Sequence, residues 1–121
     1  MFARGFKLNK KNYREIEYIL NQFIHDEKKN HKGYVEKGVF SIEVDFQCGD
    51  TCSIFTFIDE IRITEWNDGI RVFLKAKEIE HSVYYTNEKD IYSHVWFSGG
   101  GGISSYVFSR ISFSKPLNNI Y

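Results

Sequence analysis

The sequence predicts an α+β fold, in which one N-terminal amphipathic helix packs on a mainly antiparallel sheet of about six strands. Aromatic residues, which favour the pleated surface of a sheet, make up 17% of the 121 residues. Apolar residues recur at helical spacing near the N-terminus, whereas they alternate with polar residues along much of the remaining chain. The length is typical of a single domain, and we assign residues 1–121 to one.

The segment 9–30 has the pattern of one amphipathic helix. Its apolar residues recur at steps of three and four and form a stripe that a helix turns towards a core. The stripe contains Tyr13, Ile16, Leu20, Phe23 and Ile24. Asn9 or Asn12 is suited to cap the start by accepting a backbone N–H. Gly33 ends the pattern.

The apolar period changes to two after Gly38. In residues 40–46, Phe, Ile and Val alternate with polar residues, which predicts a strand with one buried face. The sequence CGDTC, residues 48–52, is a predicted turn. A long extended run follows over residues 53–66. Asp59 interrupts the apolar face of this run, so we expect a bend, a bulge or an exposed edge there.

A hairpin is predicted at residues 67–69, because Asn-Asp-Gly is typical of tight turns between strands. A two-residue turn at positions 68 and 69 places Ile63 opposite Leu74 and keeps the apolar residues on one face. A further strand is predicted at 81–86. The helix is expected to cover the apolar face of the sheet, since each has only one face to bury.

Four consecutive glycines, residues 99–102, lie between the last two predicted strands. A phosphate-binding loop has the form G-x-x-x-x-G-K-[ST] and leads into a helix. Here no Lys follows the glycines, and the next stretch has a strand pattern. Pairing Val95 with Val107 requires an odd number of loop residues, for which glycine supplies a left-handed residue. We predict a hairpin tip, or a loop that lets a partner backbone come close.

The formal net charge of zero does not indicate a strongly basic nucleic-acid-binding protein. Up to Lys37 there are nine Lys and Arg against five Asp and Glu, a balance of +4. From Gly38 onward there are seven against eleven, a balance of −4. The acidic sheet half is suited to a basic partner. With no signal-peptide core and no long apolar stretch, we expect a cytoplasmic protein without membrane contact.

No metal or cofactor site is predicted, and no catalytic residue. Cys48 and Cys52 lack the second ligand pair of a zinc site. A two-residue turn sends their thiols to opposite faces, whereas a three-residue turn permits a disulfide. We expect two reduced thiols. His81 and His94 lie in predicted strands that can approach each other, but the sequence fixes no inward carboxylate beside them.

An aromatic sheet face predicts an alternative function, that of a small nucleic-acid-binding or ribonuclease-like protein. Glu65, Arg71 and His94 have the residue types with which microbial ribonucleases cleave RNA by acid–base catalysis. Aromatic residues next to Arg and Lys are typical of surfaces that stack single-stranded bases. The candidates are Trp66, Phe73, Trp96, Tyr106 and Phe108. A homo-oligomer that buries this face is a third interpretation.

The chain combines a small size, an aromatic sheet and a missing catalytic signature with two acidic segments, FIDEIRITEWNDG and EIEHSVYYTNEKD. In this combination it resembles bacterial toxin-immunity proteins, including those of contact-dependent growth inhibition. This resemblance implies a protein that binds a cognate toxin, a basic nuclease domain, and occludes its active site. The predicted partner-binding residues are Trp66, Asp68, Glu78, Glu80, Glu88 and Asp90. They are not carried over from the family but lie in or near predicted loops, where partner contacts gather.

Overall fold

The computed structural model describes residues 3–48, 51–66, 69–86, 93–103 and 106–115. Within these ranges the α+β class is confirmed, but there are two helices and eight strands rather than one helix and about six strands. The elements are β1 (Ala3–Leu8), α1 (Tyr13–Asn30), α2 (Lys32–Glu36), β2 (Phe40–Cys48), β3 (Thr51–Phe55), β4 (Glu60–Trp66), β5 (Gly69–Ala76), β6 (Ile79–Thr86), β7 (Ser93–Ile103) and β8 (Tyr106–Lys115). A strand therefore precedes the long helix.

The strands form two sheets rather than the single sheet predicted. A five-stranded sheet has the order β1-β7-β8-β2-β3, and a three-stranded sheet has the order β4-β5-β6. Neighbouring strands are antiparallel except β2 and β8, which run parallel. β7 returns to the first sheet after the chain has built the second one, and its antiparallel pairing with β8 places β8 beside β2 in a parallel pair. Neither helix of the described ranges is long and apolar enough to span a membrane.

The chain changes sheets at residues 56–59, within the run that the sequence predicted to be continuous. β3 before this segment belongs to the five-stranded sheet, and β4 after it belongs to the three-stranded sheet. Phe57 has a φ of 58°, which breaks the alternation of the strand. Ile58 is consequently buried, while Phe57 is exposed. The interruption predicted at Asp59 marks this change of sheet.

One apolar core joins α1 to both sheets. α1 contributes Ile16, Leu20 and Ile24, which recur every four residues and confirm the predicted stripe. β2 buries its apolar residues, as its alternation predicts, but Ser41 and Asp45 on its other face are buried as well, so the prediction of one buried face holds only in part. β4 and β5 contribute Ile61, Ile63, Ile70, Val72 and Leu74. Burial of each such side chain stabilises the fold by about 1.5–3 kcal/mol.

α1 lies beside β4 and supplies hydrogen bonds that a neighbouring strand would otherwise make. Asn21 Nδ2 donates to the carbonyl oxygen of Ile61 at 2.7 Å, and Asn21 Oδ1 accepts from the Ile61 N–H at 2.9 Å. One turn earlier, Glu17 Oε2 accepts from the Ile63 N–H at 2.8 Å. Unpaired strand edges invite association with other chains. The helix therefore protects this edge as well as filling the core.

The entry to α1 differs from the predicted cap. Asn12 occupies the cap position, but its side chain makes no capping hydrogen bond to the helix. Instead, Asn12 Oδ1 accepts from the Asn9 N–H at 2.9 Å, and Asn9 Oδ1 accepts from the Asn12 N–H at 3.1 Å. The two amides therefore stabilise the turn between β1 and α1. Gly33 also does not end the helical region, because it lies inside α2.

The pairing of β4 with β5 differs from the predicted register by two residues. Ile63 lies opposite Val72, whereas the predicted turn placed it opposite Leu74. A shift of two residues leaves every side chain on the same face, so the apolar pattern does not distinguish the two registers. Residues 67–68, between the paired ends of the strands, lie outside the described ranges.

The glycine run lies within β7, so its prediction as a hairpin tip is wrong. Pairing with β8 continues through the run, with a shift in register between Ser98 and Gly101 that is typical of a β-bulge. Val95 consequently lies opposite Phe113 instead of Val107. The pattern of alternating apolar residues did not reveal this because the bulge changes the residue count between the strands.

Gly99 allows α1 to come close to β7. A Cβ at this position would fall well inside the van der Waals distance of Glu27 Oε1. The same carboxylate oxygen accepts a hydrogen bond from Ser109 Oγ of β8. The Glu27 carboxylate therefore has a fixed place beside the glycine. At this position, the missing Cβ leaves room for a side chain of the same chain, which would have to shift if a Cβ were present.

Candidate partner-binding cleft

An open cleft of about 510 Å³ lies at the end of the molecule where β2 begins. The end of α1, the short helix α2, the 56–59 segment and the turn between β5 and β6 surround it. Its apolar lining includes Phe40, Ile42, Ile58 and Ala76. This volume falls within the usual range for ligand sites in proteins. Several elements distant in sequence thus combine to form one concave surface.

Three residues that line the cleft have left-handed backbone conformations. Gly38 has a φ of 74°, and Phe57 and Lys77 each have a φ of 58°. Glycine adopts this region without strain, whereas residues with a Cβ incur a cost of about 1–2 kcal/mol. The Phe57 N–H donates to Ser41 Oγ at 2.7 Å, which helps to hold the unfavourable conformation. Such residues cluster at binding and active sites.

Asp59 connects the walls of the cleft. Its carboxylate accepts from Lys28 Nζ at the end of α1 and from the Lys77 N–H at 2.9 Å. Its own N–H donates to the Lys75 carbonyl oxygen at 2.8 Å. Burial acts to raise the pKa of Asp59, but these two hydrogen bonds and the charges of Lys28 and Lys77 outweigh it and lower the pKa. The carboxylate is therefore ionised and already paired.

Exposed apolar side chains concentrate around this cleft. Across the described ranges, six large apolar residues are exposed. Four of them belong to the cleft or to the segments that form it: Tyr34, Val35, Phe57 and Ile79. Phe57 and Val35 line the cleft directly. Exposed apolar side chains grouped in this way are typical of interaction sites, which makes the cleft a candidate for one.

The predicted partner-binding residues fall at two ends of the three-stranded sheet. Glu78 and Glu80 are exposed at the β5–β6 hairpin, immediately after the cleft residue Lys77. Trp66 ends β4, opposite Gly69 and thus at the far end of β5. The seven-residue offset along β5 corresponds to about 23 Å. The remaining predicted residues, Asp68, Glu88 and Asp90, lie outside the described ranges.

The sequence patterns gave no indication of Phe57 and Val35, the exposed apolar residues that line the cleft. The alternation of residues 53–66 placed Phe57 on the buried face, and the structure exposes it because of its left-handed backbone. Val35 followed the predicted helix and belonged to no predicted element. Gly38 was the one local signal, as a glycine between a helical pattern and a strand pattern.

The residues of the ribonuclease-like alternative do not converge. Glu65 lies on β4, and Arg71 lies opposite Thr64, the neighbour of Glu65 on the same strand. Successive residues of a strand point to opposite faces, so Glu65 and Arg71 lie on different faces. His94 belongs to the other sheet. These three residues therefore do not form a joint acid–base site.

The outer-face arginines within the described ranges do not form a free stacking surface for bases. The Arg62 guanidinium lies over the Phe73 ring at 4.2 Å and pairs with Glu80 at 3.5 Å. The Arg110 guanidinium similarly lies over the Phe108 ring, at 5.1 Å from its centre. Its charge is also paired with a carboxylate. The side chains of Trp66 and Trp96 are not described.

The cysteines have the register of the two-residue turn. Cys48 lies opposite Thr51, and Cys52 lies opposite Gln47. The two cysteines are therefore not directly opposite each other in the pairing of β2 with β3. Cys52 is a free, exposed thiol.

The histidines considered for a metal site lie in different sheets. His81 is in β6, where its ring packs against Phe55 with 4.6 Å between ring centres. His94 is in β7 of the five-stranded sheet. Over the part of the chain that the structure describes, no group of three or more His, Cys, Asp or Glu residues is arranged to hold a metal ion.

Comparison with protein-family models, curated proteins and solved structures found no match to the chain. A function for the cleft therefore rests on its own chemistry. That chemistry is an apolar floor with exposed apolar residues at its edge, paired charges at its centre and two exposed glutamates beside it.

Proposed function

We propose that the chain is a toxin-immunity protein, which binds a cognate protein toxin at the cleft and blocks the active site of that toxin. The observation that carries the proposal is the exposure of the Phe57 side chain together with the conformation of its backbone. Its side chain is 43% exposed at the edge of an apolar cleft, and its backbone is left-handed.

Both features of Phe57 are unfavourable for an isolated fold. A bulky residue with positive φ is an outlier, whereas Gly or Asn adopts that conformation more readily. An exposed phenyl ring contributes little to the core but suits a protein interface, whose binding energy concentrates in a few anchor residues. The neighbouring Val35 and Tyr34 extend the apolar surface to α2. A partner that covers these side chains would bury a continuous apolar area.

Two exposed glutamates beside the cleft are suited to a basic partner, while the lining of the cleft carries Lys28 and Lys77 with Asp59. Glu78 and Glu80 are both exposed, and Glu80 makes only a 3.5 Å pair with the exposed Arg62. An exposed pair of this kind contributes little to stability, so the carboxylate is available to exchange partners. Lys and Arg residues of a nuclease active site would provide complementary charge and speed association. Asp59, by contrast, is already paired inside the cleft.

The proposal is tested with a matched pair of aromatic substitutions. Phe57→Asn removes the ring and suits the left-handed backbone, so the fold should retain or gain thermal stability. Tyr18→Asn removes an aromatic side chain that is 69% exposed on α1, ten residues before Lys28 and about 15 Å from it. We expect wild-type protein to capture a basic partner from cell lysate at low salt. Phe57→Asn should bind that partner about 30-fold or more weakly, and Tyr18→Asn should bind it normally.

Neutralisation is then measured directly. The captured partner is expressed alone, where it should inhibit growth, and again together with each variant. Wild-type and Tyr18→Asn proteins should restore growth, and Phe57→Asn should not. Glu78→Lys with Glu80→Lys should slow association most strongly at low salt. A folded Phe57→Asn protein that binds and neutralises as well as wild type would refute the assignment of the cleft, and a partner without toxicity would refute the immunity function.

A further inference from the structure

The five-stranded sheet ends at β3, which pairs with β2 on one side and with no strand of the described ranges on the other. Cys52, Ser53 and Ile54 are successive exposed residues of this strand, and Ile54 is 54% exposed. An edge strand presents a row of unpaired N–H and C=O groups that can pair with another chain. β3 therefore offers a position for one further strand.

The backbone of β2 shows which of its groups face β3. The Ile42 carbonyl oxygen accepts from the N–H of Ile58, which follows β3 in the chain, at 3.1 Å. On the other side, the Val39 carbonyl oxygen accepts from the Val107 N–H of β8 at 2.9 Å. Successive residues of a strand direct their backbone groups to opposite sides. Every second residue from Ile42 onward therefore directs its N–H and C=O groups to β3.

The same alternation identifies the backbone groups at the free edge of β3. Phe46 belongs to the set that faces β3, and it lies opposite Ser53. Ser53 therefore exchanges its backbone hydrogen bonds with β2. Its neighbours Cys52 and Ile54 direct their N–H and C=O groups away from β2. Donors and acceptors thus alternate along an edge whose side chains are also exposed.

β3 lacks the features that protect the other outer strands. The edge of β4 is covered by side chains of α1, which bond to its backbone. β1 contains Lys7, and β6 contains Glu80. A charge on an edge strand opposes its pairing with a second copy, because like charges then come together. Residues 51–58 contain no charged residue and no proline. The edge of β3 is therefore compatible with a copy of itself.

We propose that the chain forms a two-fold symmetric dimer in which β3 pairs antiparallel with β3 of a second copy. Such pairing places the same surface on both sides of the interface, so an uncharged edge meets an uncharged edge. With the two-fold axis at Ser53, Cys52 of each copy lies opposite Ile54 of the other. These two residues then exchange the N–H and C=O groups that they direct outward. No residue of β3 lines the cleft, so the dimer is independent of the toxin binding proposed there.

The oligomeric state is measured by sedimentation velocity from micromolar to millimolar concentration. Wild-type protein should dimerise as its concentration rises. Ile54→Pro removes an N–H that faces away from β2, a position where an edge strand tolerates proline, and should weaken dimerisation about tenfold or more. Ile54→Lys places like charges at the interface and should weaken it similarly. Tyr18→Lys adds the same charge to a side chain that is 69% exposed on α1 and should dimerise normally. A wild-type protein that remains monomeric throughout would overturn the proposal.

Disulfide cross-linking tests the position of the axis. Ser53 lies directly opposite itself in the dimer, in a pair without mutual hydrogen bonds, where the Cα atoms are about 4.5 Å apart. A disulfide spans that distance. The two Cys52 residues are diagonal neighbours at about 7–8 Å, which is too far. With oxidised glutathione, Ser53→Cys in a Cys48→Ser, Cys52→Ser background should form a covalent dimer. Cross-linking through Cys52 alone, with none through Ser53→Cys, would contradict this arrangement.

Failure of the dimer and failure of the cleft are distinguishable. Ile54→Lys should bind and neutralise the captured toxin as wild type does, while it no longer dimerises. Phe57→Asn should show the opposite behaviour, with normal dimerisation and weakened toxin binding. If Ile54→Lys instead loses toxin binding and wild-type protein does not dimerise, the edge of β3 is covered by the toxin and the proposed dimer is wrong.

Discussion

Replacing Asn21 by Ala tests whether α1 stabilises the three-stranded sheet through its edge. The Asn21 amide makes two hydrogen bonds with Ile61, at 2.7 and 2.9 Å, and a third with the Glu17 carbonyl oxygen at 2.9 Å. Ile61 is only 1% exposed. Its N–H and C=O would therefore lose their partner in a place where water has limited access.

The expected loss of stability follows from these contacts. Each hydrogen bond contributes about 0.5–1.5 kcal/mol net, and a buried group left unpaired costs about 1–3 kcal/mol. Alanine offsets about 0.5 kcal/mol of this loss of stability because its helix propensity is higher than that of asparagine. The free energy of unfolding should fall by about 2 kcal/mol, which corresponds to a decrease in Tm of about 6–10 °C for a chain of this size.

The assay is urea unfolding, combined with amide hydrogen exchange. Asn21→Ala should speed exchange of the Ile61 amide more than that of Ile63, whose partner is Glu17. Gln22→Ala is the matched control, because Gln22 is the exposed neighbour on the same helix and should change stability by less than about 0.5 kcal/mol. If Asn21→Ala and Gln22→Ala have equal stability and Ile61 remains protected, water replaces the amide and the edge hydrogen bonds do not stabilise the fold.

Three further outcomes are expected. Because the folded pKa of Asp59 is lowered, its stabilising effect is complete above the unfolded pKa of about 3.9 and is lost as pH falls through the folded value. The stability difference between wild type and Asp59→Asn should therefore shrink only in acid below about pH 4, and an unchanged difference at pH 2.5 would contradict this. Gly99→Ala should lower Tm by displacing the Glu27 carboxylate. In a protein that already carries Glu27→Ala, the same substitution should leave Tm nearly unchanged, and an equal loss of Tm in both backgrounds would contradict this explanation. Lys77→Gly should raise the free energy of unfolding in a urea titration by about 0.5–1 kcal/mol by relieving a φ of 58°, and a loss would show that the side chain stabilises the turn.

The local patterns of the sequence predicted the individual elements well. The stripe from Ile16 to Ile24 was recognisable because only an α-helix aligns residues spaced by four on one face. The alternation in β2 similarly gave its buried residues. β1 was missed because its six residues, ARGFKL, show no clear alternation that would separate them from a loop.

The candidate sites were less accessible to prediction. The sequence drew attention to Glu78 and Glu80 through their acidic segment, and they lie beside the cleft. The cleft itself depends on the left-handed conformations of Phe57 and Lys77. Neither residue type favours that conformation, so no propensity points to it. The buried position of Asp45 beside Arg110 likewise depends on β2 lying next to β8, a parallel pairing of distant segments.

The sequence by itself determined the α+β class, the apolar faces with which α1 and β2 enter the core, and an interruption at Asp59. These are local properties, since periodicity acts over neighbouring residues. The tertiary structure decided the division into two sheets, the parallel β2–β8 pair and the place of the glycine run inside β7. Strand pairing joins residues far apart in the chain, and registers that differ by two residues bury the same side chains. The cleft joins segments that are equally distant in the chain, so it became visible only in the folded protein.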